Sequence, residues 1–410
     1  MNNNLYTRSL NSLQHQGIFL RGAYIQKIKE YSDSHNILVL EGQRRVGKSY
    51  TLIGFLQYYQ IPLNAVFYIN KELDINDEIM DQKDLYTLFQ EVNTDDKIQY
   101  IIIDEVQNIE SWEKFIVSMY SEKKYKIIIT GSNSKMLSGE LGTLLTGRFL
   151  SVPIFPLSYR EFLEFRKIPK GKESFREYVT FGGMPEVLLL GRDELKENYI
   201  QNTVNSIFLK DIVSRFTIRN LKLLEKIFQF LQSEVGNIIS ITNISNYVMN
   251  TFKKEVSLTT VSNYLKYLTY PFLINEVSRY DIKGKRILDY TAKYYFTDIG
   301  IRNISGFNFS TDIGKILENL VYMKLLSDGY TVYVGELSGK EIDFIAEKGG
   351  EKIYIQVCYL LSTQNVIDRE FGNLLKISDN YEKIVVSMDE SFGNSFQGIK
   401  NIHILDFLTS

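Results

Sequence analysis

The sequence predicts an α/β protein of several domains whose first domain is built on a buried parallel sheet. Short apolar runs rich in β-formers recur in "NILVLEG", "YIIIDE" and "KYKIIITG", and each ends abruptly in glycine or polar residues, as parallel strands buried on both faces do. A helical pattern, "YTLIGFLQYY", follows the first run. The chain has 410 residues, 44% of them apolar, which is too long for one ordinary core and predicts two or three.

The overall composition excludes several classes of protein. The net charge is −2, so no global basic field draws the chain to nucleic acid. The single cysteine, Cys358, excludes an intrachain disulfide framework and cysteine-based zinc sites. The N-terminal residues lack the arrangement of a signal peptide, and no apolar run reaches 18 residues. We therefore expect a soluble cytoplasmic protein with no membrane partner.

The first apolar run leads into the segment GQRRVGKS, which fits G-x-x-x-x-G-K-[ST] without a mismatch. Between a strand and a helix, such glycines let backbone N–H groups and the helix N-terminus surround a phosphate. Lys48 would reach the β- and γ-phosphates and Ser49 would ligate Mg²⁺, so ATP and Mg²⁺ are the expected cofactors. The predicted nucleotide contacts are Gly42, Gln43, Arg44, Arg45, Val46, Gly47, Lys48, Ser49 and Tyr50.

The second apolar run ends in Asp104 and Glu105. Two carboxylates at the carboxyl end of a buried strand are costly unless they face a site. Asp104 is therefore predicted to hold Mg²⁺ and Glu105 to orient and activate the attacking water. The alternative is a solvated strand end, which the phosphate loop upstream disfavours.

Two further candidates follow the third apolar run. Ser132 or Asn133 would lie between the two earlier strands and contact the γ-phosphate, or else form an ordinary turn. Arg148 begins the next strand, where a guanidinium would meet charge on the transferred phosphoryl group. Its action within one subunit, its action on a neighbouring subunit and a plain surface role all stay open.

Several segments together resemble a family of prokaryotic AAA-type P-loop ATPases with a C-terminal restriction-endonuclease-like domain of unknown function, the AAA ATPase plus DUF4143 type. They are "GQRRVGKSY", "IIIDEVQNIESWEKF", "ITGSNSKMLSGELGTLLTGRFLSVPIFPLSYREFL" and "YVTFGGMPEVLL". The resemblance implies a P-loop NTPase αβα sandwich with a helical lid, and self-association into a homo-oligomer. The expected segments are the ATPase core at 1–165, the helical lid at 166–218, a winged helix-turn-helix at 219–303 and a nuclease-like α/β domain at 304–410.

The segment 219–303 reads as three helices followed by a hairpin with Gly284 at its tip, which suggests a winged helix-turn-helix. Its mild excess of basic side chains would meet DNA phosphates; the alternative is a module that packs between domains or mediates self-association, with its positive charges on a solvated face. The candidate phosphate contacts are Lys253, Lys254, Lys266, Lys283, Lys285 and Arg286. The candidates for contacts to DNA bases are Thr259, Thr260 and Asn263.

The last segment resembles the PD-(D/E)xK nuclease arrangement, with Glu318 on a helix, Asp343 on one strand and Gln356 on the next. These residues form a predicted second site. The expected Glu-x-Lys is Gln356-Val357-Cys358, and a neutral amide is a weaker Mg²⁺ ligand than a carboxylate. Nuclease activity is therefore not expected, unless Lys340 or Lys352 takes the lysine role.

The leading prediction is an ATP-binding protein whose Mg²⁺-dependent ATP hydrolysis changes the conformation of its winged-helix and nuclease-like half, with DNA as a candidate partner. The first alternative is an ATP-regulated DNA nuclease. The second is a nucleotide-gated protein-binding switch with little hydrolysis.

Overall fold

The computed structural model describes residues 3–14, 17–34, 36–134, 147–253, 255–306 and 309–410. They form two compact units, Met1–Phe155 with Tyr270–Phe272, and Pro156–Thr269 with Leu273–Ser410. The first unit ends earlier than the expected boundary at 165, and the expected lid, winged helix and nuclease-like segments share the second unit, apart from Tyr270–Phe272 of the winged-helix segment. Among the helices of the described residues, none has the length and apolarity needed to span a membrane.

The first unit is a five-stranded parallel sheet with helices. Its strands are β1 (Ile37–Glu41), β2 (Val66–Asn70), β3 (Tyr100–Asp104), β4 (Lys126–Gly131) and β5 (Phe149–Pro153). Its helices are α1 (Asn3–Asn11), α2 (Gly22–Ser32), α3 (Lys48–Tyr58), α4 (Gln82–Val92) and α5 (Trp112–Ser121). The strand order is β2-β3-β4-β1-β5, and every neighbouring pair is parallel.

Both faces of this sheet are buried, which explains the continuous apolar runs. Ile37 and Val39 of β1 pack into one apolar cluster, whereas Leu38 and Leu40 pack into the other. Successive strand residues point to opposite faces, so a strand covered on both sides needs apolar residues at every position. The polar residues are thereby left to the strand ends.

The second unit contains a nine-stranded mixed sheet with the order β13-β14-β12-β11-β10-β9-β7-β8-β6. Its strands are β6 (Ile239–Ser240), β7 (Ile274–Asp281), β8 (Arg286–Phe296), β9 (Thr331–Leu337), β10 (Lys340–Lys348), β11 (Glu351–Val357), β12 (Glu382–Ser387), β13 (Ser395–Phe396) and β14 (Ile399–His403). Its first helices are α6 (Tyr159–Arg166), α7 (Lys172–Phe181), α8 (Pro185–Leu188) and α9 (Asp193–Ile207), which continues as a π-helical segment, Phe208–Val213. The remaining helices are α10 (Leu221–Ser233), α11 (Ile241–Phe252), α12 (Leu258–Thr269), α13 (Ile299–Asn303), α14 (Phe309–Ser327), α15 (Gln364–Leu375) and α16 (Ile404–Thr409).

The expected order of three helices and a hairpin is present as α10, α11, α12 and β7–β8. Asp281 accepts a hydrogen bond from the Gly284 N–H at 2.8 Å in the hairpin turn. However, β7 also pairs in parallel with β9, with Arg279 opposite Val334. The hairpin and the C-terminal strands therefore belong to one sheet, which the expected boundary at 303 divides.

Asp298 is a buried carboxylate that ties the start of α13 to the chain after α7. It accepts hydrogen bonds from the backbone N–H groups of Gly183 at 2.8 Å, Gly300 at 2.9 Å and Ile301 at 3.3 Å. Asp298→Ala leaves these buried donors without an acceptor, so we expect the free energy of unfolding to fall by about 3 kcal/mol. Urea denaturation of the full chain measures this, with the exposed Asp289→Ala as the matched control; equal midpoints for the two variants would contradict it.

Candidate functional site

The phosphate loop joins β1 to α3 at the carboxyl edge of the parallel sheet. Gly47 precedes α3 in the left-handed region, with φ 92°, and provides no side-chain cap for the helix. Gly42 has φ 155°, and a Cβ at this position would clash with the backbone carbonyl of Ile154. Both positions therefore require glycine, and the first N–H groups of the 11-residue helix stay available for an anion.

Gly42→Ala tests how tightly the loop is held against the end of β5. Because the clash is with backbone, it cannot be relieved by a rotamer change, and we expect the variant to lose about 2 kcal/mol of stability. The midpoint of urea unfolding measures this loss. Gly22→Ala is the control, since a Cβ there meets nothing within 4 Å; a Gly42→Ala midpoint equal to that of the control would argue against the tight loop.

Lys48 is buried and folds back over the loop. Its Nζ donates to the carbonyl oxygens of Gly42 at 3.0 Å and Gln43 at 3.3 Å, and lies 3.3 Å from Oε1 of Glu105. The ammonium is therefore held at the loop opening by groups that a phosphate could replace.

Asp104 and Ser49 meet directly. The Asp104 carboxylate is fully buried and accepts hydrogen bonds from Ser49 and from Oγ1 of Thr130. Burial, and then the nearby charge of Glu105, raises the pKa of Asp104 to about 6. A hydroxyl beside a carboxylate at this sheet edge is a donor set that suits Mg²⁺, a hard cation that prefers oxygen ligands.

Glu105 follows Asp104 in the left-handed region, with φ 55°. Its Oε2 accepts hydrogen bonds from Oγ of Ser132 at 2.9 Å and from Gln107. Burial alone would raise the pKa of Glu105, but the charges of Lys48 and Arg44, with these hydrogen bonds, lower it. The carboxylate is therefore ionised and oriented at neutral pH, as a group that positions water must be.

The loop also contains a buried amide whose hydrogen-bonding capacity is not used. Gln43 is 0% exposed, and within the part of the chain that the structure describes neither Nε2 nor Oε1 has a hydrogen-bond partner. Buried polar groups are nearly always paired with protein, water or ligand. Together with the Lys48 ammonium and the open helix N-terminus, this amide fits a loop that receives a polar anion.

The remaining predicted contacts lie along the same edge. Val46 and Arg44 are buried and Arg44 pairs with Glu72, whereas Arg45 and Tyr50 are exposed. Ser132 and Asn133 are buried directly after β4, which lies between β1 and β3. The structure thus brings Ser132 to Glu105, as the strand order requires.

Arg148 lies elsewhere. It immediately precedes β5, which runs parallel to β1 with Phe149 opposite Ile37 and Pro153 opposite Glu41. Because the phosphate loop follows Glu41, Arg148 is at the opposite edge of the sheet, where its guanidinium lies 6.0 Å from the Tyr120 ring. Of the alternatives left open for this residue, action on its own phosphate loop does not fit this geometry.

Sequence reasoning missed three residues that organise the site. Thr130 donates to Asp104 and accepts from the Glu105 N–H at 3.0 Å, and Gln107 holds Glu105. Arg21 donates to the Phe155 carbonyl at 2.8 Å, beside the loop-contacting Ile154. The threonine that ends the apolar run "KIIIT" is visible in the sequence, but its partners depend on the order of the strands; Arg21, distant in sequence, offers no signal.

The predicted second site is part of an ion-pair network in the second unit. Oε1 of Glu318 accepts hydrogen bonds from the buried Lys293 Nζ at 2.7 Å and from the Tyr295 hydroxyl, and Lys293 also lies 2.6 Å from Oε1 of Glu341. Burial, and then the charge of Glu318, raises the pKa of Asp343. Among the described residues, no group of three or more His, Cys, Asp and Glu is arranged to hold a metal ion.

Gln356 bridges two neighbours in this network. Its Oε1 accepts from the Asp343 N–H at 2.7 Å, and its Nε2 donates to Oε2 of Glu370 at 3.0 Å. A glutamate could not make the second bond without a proton, so the amide suits this position structurally. Lys293 of β8, rather than Lys340 or Lys352, is the lysine beside Glu318, and the sequence pattern did not indicate it.

The candidate DNA contacts are spread over α11, α12 and the β7–β8 turn. Thr259, Asn263 and Lys266 of α12 are exposed and Thr260 is half-buried; Lys253, Lys283, Lys285 and Arg286 are exposed. Lys254 lies outside the described residues.

Comparisons with known proteins agree with the first unit and extend over nearly the whole chain. The AAA domain model matches residues 34–163 and the model of a domain of unknown function, DUF8612, matches residues 172–311. An uncharacterized protein of Haemophilus influenzae is 35% identical over 397 residues, covering 95% of this chain and 98% of that protein. The uncharacterized protein MJ1544 of Methanocaldococcus jannaschii is 31% identical over 381 residues, covering 87% of this chain and 83% of that protein. The DUF8612 match covers most of the predicted lid and all of the predicted winged-helix segment, and it ends at residue 311, near the start of the predicted nuclease-like segment.

Solved structures give weaker likenesses. The replication initiator DnaA bound to AMPPCP and single-stranded DNA has a TM-score of 0.31 at 15% identity, covering 65% of this chain and 92% of that chain. The Thermotoga maritima RuvB Holliday junction branch migration motor also has a TM-score of 0.31, at 13% identity, covering 67% of this chain and 93% of that chain. These scores are too low to assign a shared overall fold.

Proposed function

The chain belongs to the same family as the Haemophilus influenzae and Methanocaldococcus jannaschii proteins and carries an AAA-type phosphate-loop domain, and from this premise we propose that it binds ATP with Mg²⁺ and hydrolyses it. The observation that carries the proposal is the meeting of Lys48, Asp104 and Glu105 at the carboxyl edge of the parallel sheet. Lys48 and Glu105 are in contact at 3.3 Å, and Ser49 bonds to Asp104.

In this proposal each side chain has a separate role. Lys48 exchanges the carbonyls of Gly42 and Gln43 for phosphate oxygens, and the loop N–H groups bind the same phosphates. Ser49 and Asp104 would hold Mg²⁺, which offsets the phosphate charge when it is bound. Glu105, oriented by Ser132 and Gln107, directs the attacking water and accepts its proton.

We propose that Arg148 acts at the phosphate loop of a neighbouring subunit. Its position before β5 separates it from its own phosphate loop, but it is exposed at the sheet edge. In a homo-oligomer it would approach the phosphates of the next subunit and stabilise transition-state charge. This assignment requires self-association of the chain.

We further propose that hydrolysis changes the conformation of the second unit, whose α10–α12 helices and β7–β8 hairpin form a winged helix that contacts DNA. The exposed Thr259 and Asn263 on α12 and the exposed Lys253 and Lys266 support this assignment, because such groups read bases and meet phosphates.

The test is a phosphate-release assay on the purified full chain, with and without Mg²⁺ and with and without DNA. We expect Mg²⁺-dependent turnover, and stimulation by DNA if the winged helix contacts it. The absence of both ATP binding and turnover would refute the proposal. Tight ATP binding with negligible turnover would instead favour the nucleotide-gated switch.

A DNA nuclease is the second candidate, favoured by the proximity of Lys293 to Glu318 and of Gln356 to Asp343 in the second unit. A supercoiled plasmid incubated with protein and Mg²⁺ or Mn²⁺ tests it. Cutting that Asp343→Ala abolishes would support the nuclease; an intact plasmid with both metals would exclude it.

A further inference from the structure

A groove lined by lysines lies within the second unit, apart from the phosphate loop, and it includes Lys283 and Lys285, two of the candidate DNA contacts. The β7–β8 turn, the β9–β10 turn, β11 and the segment between α15 and β12 surround a cavity of about 830 Å³. Its walls carry five lysines but one acidic residue, Asp379. The lysines are Lys283, Lys285, Lys340, Lys352 and Lys376. The groove is therefore strongly positive although the whole chain has a net charge of −2.

The one carboxylate of the groove already has partners. Oδ2 of Asp379 accepts a hydrogen bond from the Tyr354 hydroxyl at 2.6 Å, and Oδ1 accepts from the Tyr381 N–H at 3.2 Å. Its Oδ1 also lies 3.6 Å from Nζ of Lys383. Asp379 thus has its own hydrogen-bond partners in the wall of the groove, and its single negative charge cannot offset the charges of five lysines.

Four of the lysines have no acidic partner. Within the described ranges, Lys283, Lys285, Lys340 and Lys376 form no ion pair, while Lys352 pairs with Glu347 at 2.9 Å. The proximity of the Lys340 ammonium lowers the pKa of Lys376. Two ammonium groups side by side are unfavourable by themselves, and an anion bound between them would remove the repulsion.

Tyrosine rings accompany the lysines. The Lys352 ammonium lies 5.5 Å from the Tyr280 ring and 5.7 Å from the Tyr381 ring, and Tyr381 is 42% exposed. Grooves that bind single-stranded nucleic acid combine cations along the backbone with aromatic rings on which bases stack. An acidic peptide would use the lysines but carries no bases to stack on the exposed ring.

We propose that this groove binds the phosphodiester backbone of a nucleic acid. The cations come from four separate segments of the chain that surround one groove, and a phosphodiester backbone offers several anionic groups to such a cluster. The inference rests on the nucleic-acid contact of the proposed function, but it assigns that contact to the groove in addition to α12. It does not depend on ATP hydrolysis.

The experiment is a fluorescence-anisotropy titration of the full chain with a labelled single strand of about 20 nucleotides, without ATP or Mg²⁺, over a range of salt. The test variant is Lys340→Gln/Lys376→Gln. The matched control is Lys83→Gln/Lys114→Gln, which removes the same charge at exposed positions of the first unit. We expect about a tenfold loss of affinity and a salt slope shallower by about 1.4 in the test variant, with the control unchanged.

Each other outcome decides against some part of the proposal. Unchanged affinity and slope for Lys340→Gln/Lys376→Gln would refute the groove, and if Lys253→Gln/Lys266→Gln loses binding at the same time, the contact through the winged helix stands alone. If the unmodified chain does not bind the strand at low salt, both the groove and the winged-helix contact are refuted. Displacement by poly-glutamate at equal charge concentration would identify an acidic polypeptide instead. A duplex that binds more tightly than the single strand would keep the phosphate assignment and remove the stacking role of Tyr381.

Discussion

Lys48→Ala is expected to lower kcat/KM for ATP by about a thousandfold, or about 4 kcal/mol of transition-state stabilisation. The ammonium is buried and lies against the loop carbonyls and 3.3 Å from Glu105, so no exposed lysine can replace it. Its removal takes away the cation that would meet the β- and γ-phosphates and leaves the Glu105 carboxylate facing them. Repulsion of the phosphates then adds to the lost attraction.

The measurement combines ATP affinity by calorimetry with phosphate release at saturating ATP. Lys114→Ala, an exposed lysine on α5 of the same unit, is the matched control and should behave as the unmodified chain. Lys48→Arg separates charge from shape, because the larger guanidinium keeps the charge but not the hydrogen bonds to the loop carbonyls. Turnover by Lys48→Ala within a few-fold of the control would refute the role of this residue.

The sequence predicted the parts of this site that depend on local backbone. Gly42 and Gly47 are required by the loop itself, and Lys48 and Ser49 follow from the helix that begins there. Asp104 and Glu105 could be found because carboxylates are rare at the end of a run as apolar as "YIIID". Thr130 was missed because its role appears only when β4 lies between β1 and β3, and strand order is not a local property.

The same limit explains what the sequence did not predict in the second unit. The hairpin and the C-terminal strands were each found from alternation and turns, but their union through β7 and β9 depends on register between distant segments. Comparison with an acidic motif predicts Gln356 to be a weakened metal ligand. Its bridge from Asp343 to Glu370 shows a structural reason for an amide. Lys293, 50 positions before Asp343, could not be connected with it.

Glu105→Gln is the second large effect, and it separates binding from chemistry. We expect kcat to fall by about 10² to 10³, because the amide cannot accept the proton of the attacking water. ATP affinity should be kept or increased, since the variant removes a negative charge close to the phosphates. The Lys48 ammonium loses its ion pair but keeps its hydrogen bonds to Gly42 and Gln43.

This pattern differs from that of Lys48→Ala, and the difference is what makes the pair of variants informative. A variant that lowers kcat while ATP stays bound has lost an interaction made only in the transition state. Single-turnover phosphate release, with ATP binding measured in parallel, distinguishes the two variants, and Glu113→Gln on α5 controls for the loss of a buried acidic charge nearby. If Glu105→Gln instead abolishes ATP binding and leaves the turnover of bound ATP unchanged, Glu105 acts by positioning Lys48, and the water must be activated by another group.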